Sequence, residues 1–327
     1  MLIWFVGLYL LVSIGIGLVA ASRVHNTKDY AVAGRHLSMP VVMAPVFATW
    51  FGAEAIFGVS ATFVQEGLNG VVADPFGSSL CLVIAGIFFS SKLYKLNIMT
   101  LGDFYRMRYN RIVEVLTTLA IIISYLGWVA AQIKALGLLF SMITHDHISQ
   151  TSGMILGTAI VLTYTTLGGM LSVAILDFVQ MIVVIGGLLY IALQTADMAG
   201  GVVPVIAHAH SAGKLDLWPQ TSHWSTWITF IGTWLTMMLG SVPQQDVFQR
   251  ITSAKSAKIA LWGSILGASL YFCFAFVPMF IAYAATLIDP KLFGHLVLTD
   301  SQRVLPTLVL TQMPVIAQTI FFGAALS

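Results

Sequence analysis

The sequence predicts an all-α polytopic membrane protein, and three observations carry that prediction. Hydrophobic residues make up 58% of the 327 and charged residues only 9%, against roughly 25% charged in a typical soluble domain. Apolar runs of about spanning length, roughly 20 residues, fall at 2–21, 41–64, 70–91, 112–142, 150–167, 171–196, 224–243, 257–286 and 304–327. Sorting the 15 lysines and arginines into alternate connections places Arg23, Lys28, Arg35, Lys92, Lys95, Arg106, Arg108, Arg111, Arg250, Lys255 and Lys258 on one side. One missed or invented span would scramble that alternation.

The first run, Leu2 to Ala21, has no basic segment before it, exceeds the length of a signal-peptide core and is followed by Arg23 and Lys28, so it reads as a spanning helix. The positive-inside rule makes the basic connections cytoplasmic and puts the N-terminus outside. Lys214, Lys291 and Arg303 then fall in outer connections, and Lys134, inside the fourth run, can snorkel to the outer headgroups. The expected organisation is an N-terminal spanning helix and cytoplasmic loop (1–40), a five-helix unit (41–197), an outer loop rich in glycine and proline (198–223) and a second unit (224–327). The last run reaches Ser327 without a polar flank, which predicts a ninth helix cut short and an incomplete second unit.

Several function classes find no support in the residues. A net charge of +2 is too small to argue for a nucleic-acid partner, and Cys81 and Cys273 sit singly in apolar runs, so no disulfide framework follows. His145 with His147, and His208 with His210, lack a third ligand in register for a metal. No phosphate-binding loop and no nucleophile paired with a base is present, so neither an enzyme nor an organic cofactor is expected. The lipid bilayer and a small solute are the expected partners; the sequence leaves the oligomeric state open.

The informative stretch is Ala44 to Gly67, APVFATWFGAEAIFGVSATFVQEG. Glu54 lies near its middle among Ala53, Ala55 and Gly58. A carboxylate at that depth costs about 2.5–3.5 kcal/mol even on the lenient insertion scale, so it faces a cavity or an ion path, or else caps amides freed where the helix opens. Opened backbone at membrane depth is tolerated where it lines an enclosed cavity, and its carbonyls can then coordinate a cation. The second unit also opens on an interrupted segment, at Gly240, Pro243, Gln244 and Gln245. Interrupted spans at corresponding positions of two halves point to two inverted five-helix repeats and to a secondary transporter.

The chain resembles the sodium:solute symporter family over nearly its whole length. The resemblance rests on Asp29-Tyr30 with Ala33-Gly34-Arg35, the Ala48–Gly58 broken helix, Thr100-Leu101-Gly102-Asp103-Phe104 with Arg108-Tyr109, Tyr164 to Met170 running on to Asp177 and Gln180, and Gln249-Arg250 with Ala254-Lys255-Ser256. Ala48-Thr49-Trp50, the 168–173 run and Phe248-Gln249-Arg250 are most similar to the high-affinity choline transporter-like branch.

This resemblance implies an amino-acid/sodium symporter-type core of two inverted repeats with one extra N-terminal helix, alternating access, and sodium as the coupling ion. It implies sodium-binding carbonyls at Ala48 and Phe51, with the remaining ligands beyond Ser327. It places Trp50 and Trp128 in an aromatic substrate site, together with Ser78 and Gln244, which are not aromatic. Asp177 is either an interior carboxylate bonded to a neighbouring hydroxyl or a stop on the sodium exit route. Because Ser78, Gln244 and Glu54 offer hydrogen bonds, a substrate with its own donors, an amino acid or amine, fits them better than a choline-like cation. The rival reading is a transporter-like membrane unit of a larger sensor protein.

Overall fold

Apolar runs crossing hydrocarbon fold as helices because each amide and carbonyl must find its partner within its own segment. The computed structural model describes residues 1–326, and among these the single extended pairing is a bridge between Leu37 and Ala254. The helices, in order, are α1 (Leu2–Ala21), α2 (Thr27–Val32), α3 (Met39–Trp50), α4 (Glu54–Glu66), α5 (Val72–Leu96), α6 (Leu101–Arg108), α7 (Arg111–Ile143) and α8 (Gln150–Met198). They continue as α9 (Val202–Ser211), α10 (Trp224–Gly240), α11 (Gln245–Thr252), α12 (Ala257–Ile288), α13 (Pro290–Thr299), α14 (Val304–Gln312) and α15 (Val315–Leu326). Five are long and apolar enough to cross a membrane, and the pair α3–α4, bent by 52°, makes a sixth.

Local chemistry sets the boundaries outside the apolar runs. Thr100 and Asp103 form a reciprocal capping box at the start of α6, and Asn110 and Ser149 accept amides at the starts of α7 and α8. Each satisfies donors that a helix N-terminus leaves orphaned.

Helix α12 runs through the middle of the bundle, burying Tyr271, Met279 and Ile281 and packing against α3, α5 and α8. Its approach to α3 is set by Gly263 and Gly267, four residues apart. A Cβ at either would stand 2.7 Å from the Cγ1 of Val42 or of Val46. Small residues at this spacing let two helix backbones meet, which is how helices associate where lipid supplies no hydrophobic drive.

The expected spans 150–167 and 171–196 are two helical segments of α8, parted at Gly169, whose backbone (φ 51°, ψ −143°) is not helical. The carbonyl oxygen of Tyr30 presses on the place a Cβ would occupy there. The expected single span 304–327 is corrected to two helices. Met313 is extended (ψ 151°) ahead of Pro314, and the chain re-enters helix at Val315. The proline ring disfavours helical geometry in the residue before it, and the apolar character of the run conceals that stop. Ser327, the end of that expected span, lies outside the described residues.

Replacing Gly169 with alanine forces a Cβ into the left-handed region, at a cost of about 1–2 kcal/mol before the clash with Tyr30 is counted. The thermal midpoint in detergent is expected to fall. Gly186→Ala in the same helix, where a Cβ meets nothing within 4 Å, is expected to leave the midpoint unchanged or raise it slightly.

Candidate functional site: a carboxylate-lined cavity at the helix breaks

Helix α3 loses its ladder where small and aromatic residues alternate. Phe51 N donates to Phe47 O at 3.1 Å and Ile56 N to Gly52 O at 3.1 Å. Between them Phe51 adopts φ −87° and ψ 67°, and α4 begins in wider, π-type turns. Among the described residues, no backbone amide or side chain donates to the carbonyls of Ala48 or Phe51. The Phe51 ring is a packing element, stacked on Phe47 at 4.8 Å and tilted against Phe274 at 5.2 Å. Its carbonyl, not its side chain, is the available group.

The bond that secures the N-terminal side of this break comes from the second interrupted segment. Arg250, in α11, donates through Nε to Pro45 O at 2.9 Å, and Thr49 Oγ1 donates to the same carbonyl at 2.5 Å. Gln249 donates to Ala31 O, Leu37 N donates to Ser253 O, and Lys255 N donates to Leu37 O. The Gln249-Arg250 pair thus ties α11 to both α2 and α3.

Two adjoining cavities open beside the break. The smaller, about 120 Å³, is lined by Thr49, Trp50, Glu54, Trp128, Gln244 and Asp246, among others. Of the sequence-expected substrate residues it gathers Trp50, Glu54, Trp128 and Gln244 from four different helical segments. Trp50 is buried, with an indole N–H that has no partner among the described residues, while Trp128 is 40% exposed. Gln244 stands at the N-cap position of α11, just past the end of α10 at Gly240, and makes no side-chain capping bond. The larger cavity, about 520 Å³, shares Glu54 and Trp128 and adds Asp74, Gln132 and Gln302.

Ser78 lies elsewhere: it is fully buried and its hydroxyl donates to Asp74 Oδ1 at 2.5 Å. Asp74 is the residue that reaches the cavity. It stands at a break in α5 (φ −140°, ψ 117°) and also accepts the Tyr271 hydroxyl. Sequence reasoning passed over it, although a carboxylate within the apolar run 70–91 is the same signal that singled out Glu54. Asp246, which accepts the Tyr125 hydroxyl at 2.5 Å, was also passed over; it directly follows the Gln244-Gln245 interruption. Asp177 is not among the residues lining these cavities. It sits in the second half of α8 with Oδ2 buried and without a hydrogen-bond partner among the described residues.

The sequence model of the Sodium:solute symporter family matches residues 30–327. High-affinity choline transporter 1 of Torpedo marmorata is 29% identical over 271 residues, 80% of this chain and 46% of that protein. Sodium-coupled monocarboxylate transporter 2 of Danio rerio is 28% identical over 301 residues, 87% of this chain and 46% of that protein. The chain therefore spans about half the length of the curated relatives it matches. The solved structure of a Na+-coupled sialic acid symporter, in a substrate-bound outward-open state, has a TM-score of 0.86 to this fold at 18% identity, covering 99% of this chain and 70% of that one. That likeness establishes a shared fold. With a family match that runs from Tyr30 to the last residue, the chain belongs to the sodium:solute symporter family.

Proposed function

We propose that this protein is a sodium-driven symporter that imports a small organic solute, an amino acid, an amine or a choline-like cation, by alternating access. The observation that carries the proposal is the pair of free carbonyls at Ala48 and Phe51 beside a cavity walled by Glu54. Unbonded carbonyls at a helix break are hard oxygen ligands of the kind a sodium ion takes. Trp50, Glu54, Trp128 and Gln244 form the substrate wall, Ser78 supports it through Asp74, and Asp177 lies on the sodium exit route. Residues 41–197 and 224–327 belong to inverted repeats, and the N-terminus is outside.

The driving force suffices for accumulation. One sodium ion crossing ~100 mV contributes ~2.3 kcal/mol, and a tenfold gradient adds ~1.4 kcal/mol. Together they support roughly 500-fold accumulation of solute.

In proteoliposomes, an inward sodium gradient is expected to drive solute uptake above its equilibrium level, and a sodium ionophore to abolish that excess. Uptake that stops at the equilibrium level in every case would overturn the symport reading. Glu54→Gln is expected to cut uptake by about tenfold or more, the value of a charge-assisted hydrogen bond. Asp177→Asn is expected to slow turnover while leaving sodium-dependent solute binding intact, which a comparison of binding with uptake rate will resolve.

A further inference from the structure

The geometry points to a substrate class for this cavity: a short α,ω-diamine carried as a dication, one ammonium held by Glu54 and the other by Asp74. The inference rests on the reading of the cavity as the substrate site of a symporter. Its chemical argument is separate from the argument for sodium coupling.

Three observations support it. The larger cavity is walled by Glu54 from α4 and Asp74 from α5, and among the described residues no lysine, arginine or histidine lines it or the smaller cavity. Asp74 is only 6% exposed, and both hydroxyls that reach it, from Ser78 and Tyr271, donate to Oδ1. Its Oδ2 has no hydrogen-bond partner among the described residues, although the side chain lines the cavity. One oxygen is therefore anchored and the other remains available.

Two carboxylates facing one cavity repel each other, and a ligand with one positive charge neutralises only one of them. A dication neutralises both. Each primary ammonium also brings three N–H donors, which the Glu54 carboxylate, Asp74 Oδ2 and the side-chain oxygens of Gln132 and Gln302 can accept. A quaternary ammonium brings no donors, and an organic anion meets two like charges. The cavity volume of about 520 Å³ lies within the usual range for small-molecule sites, roughly 300–1,000 Å³. The exposed face of Trp128 offers an apolar wall for the methylene chain.

The test measures equilibrium binding of radiolabelled putrescine to the reconstituted protein, with sodium present and no gradient. Competitors are a chain-length series of diamines, n-butylamine, choline and lactate. Sodium-driven uptake of the same compounds is measured in parallel.

Putrescine or cadaverine is expected to bind best, with affinity passing through an optimum of chain length. n-Butylamine is expected to bind at least about tenfold more weakly, the factor that one charge-assisted hydrogen bond supplies. Lactate should not compete. Asp74→Asn should bring diamine affinity down to the monoamine level while n-butylamine affinity is kept. If that variant misfolds and loses n-butylamine as well, the chain-length series on the unmodified protein decides.

Affinity that rises steadily with chain length, n-butylamine binding as tightly as putrescine, or no putrescine binding would overturn the inference. Putrescine bound with a length optimum but never accumulated would overturn the symport reading and leave the diamine site standing. Sodium-driven accumulation of a monoamine or an anion in preference to diamines would do the reverse.

Discussion

A carbonyl inside a bilayer has no water to turn to, and this architecture is arranged around the places where that rule is relaxed. Pro45, which lacks an N–H, already interrupts the ladder of α3 from within. One turn later the ladder ends, and the carbonyls of Ala48 and Phe51 are left free. Such a break persists because its surroundings hold it. The Phe47, Phe51 and Phe274 rings lock its far side, Gly263 and Gly267 bring α12 against α3, and Arg250 takes up the Pro45 carbonyl.

The other irregularities fall near the same point. Helix α5 breaks at Asp74, and α10 gives way to α11 at Ser241–Gln244. Segments broken in this way bring Glu54, Asp74, Gln244 and Asp246 to two adjoining cavities while the apolar surfaces of α1 and α7 stay on the periphery. Burying carboxylates is costly, so their confinement to a shared hollow is itself economical: one volume of solvated or ligand-filled space serves all of them. Tyr125 and Tyr271 extend the arrangement outward, each orienting one carboxylate through its hydroxyl.

Much of this was legible in the sequence, for identifiable reasons. Glu54 and the small residues around it announced an opened helix, and the gap between the runs 150–167 and 171–196 contains Gly169, one of the few residue types that accepts the φ of 51° found there. Trp50, Trp128 and Gln244 came from the family resemblance, and all three line the smaller cavity. Ser78 came from the same source, but position within a family motif does not say where a hydroxyl points, and this one is occupied by Asp74. Asp74 itself was readable as a carboxylate in an apolar run. The division of 304–327 was hidden because one proline hardly alters how apolar a long run reads, although Met313-Pro314 carries the stop.

The bonds of α11 have one further consequence. Arg250 grips α3 through Pro45, while the neighbouring Gln249 grips α2 through Ala31. Helices α2, α3 and α11 are thus yoked at one end of the bundle, and α3 cannot tilt away from α11 without breaking a charge-assisted bond of about 1.5–3 kcal/mol. A linkage of that kind turns three separate helix ends into one body, so that a displacement of any one of them is shared by the other two.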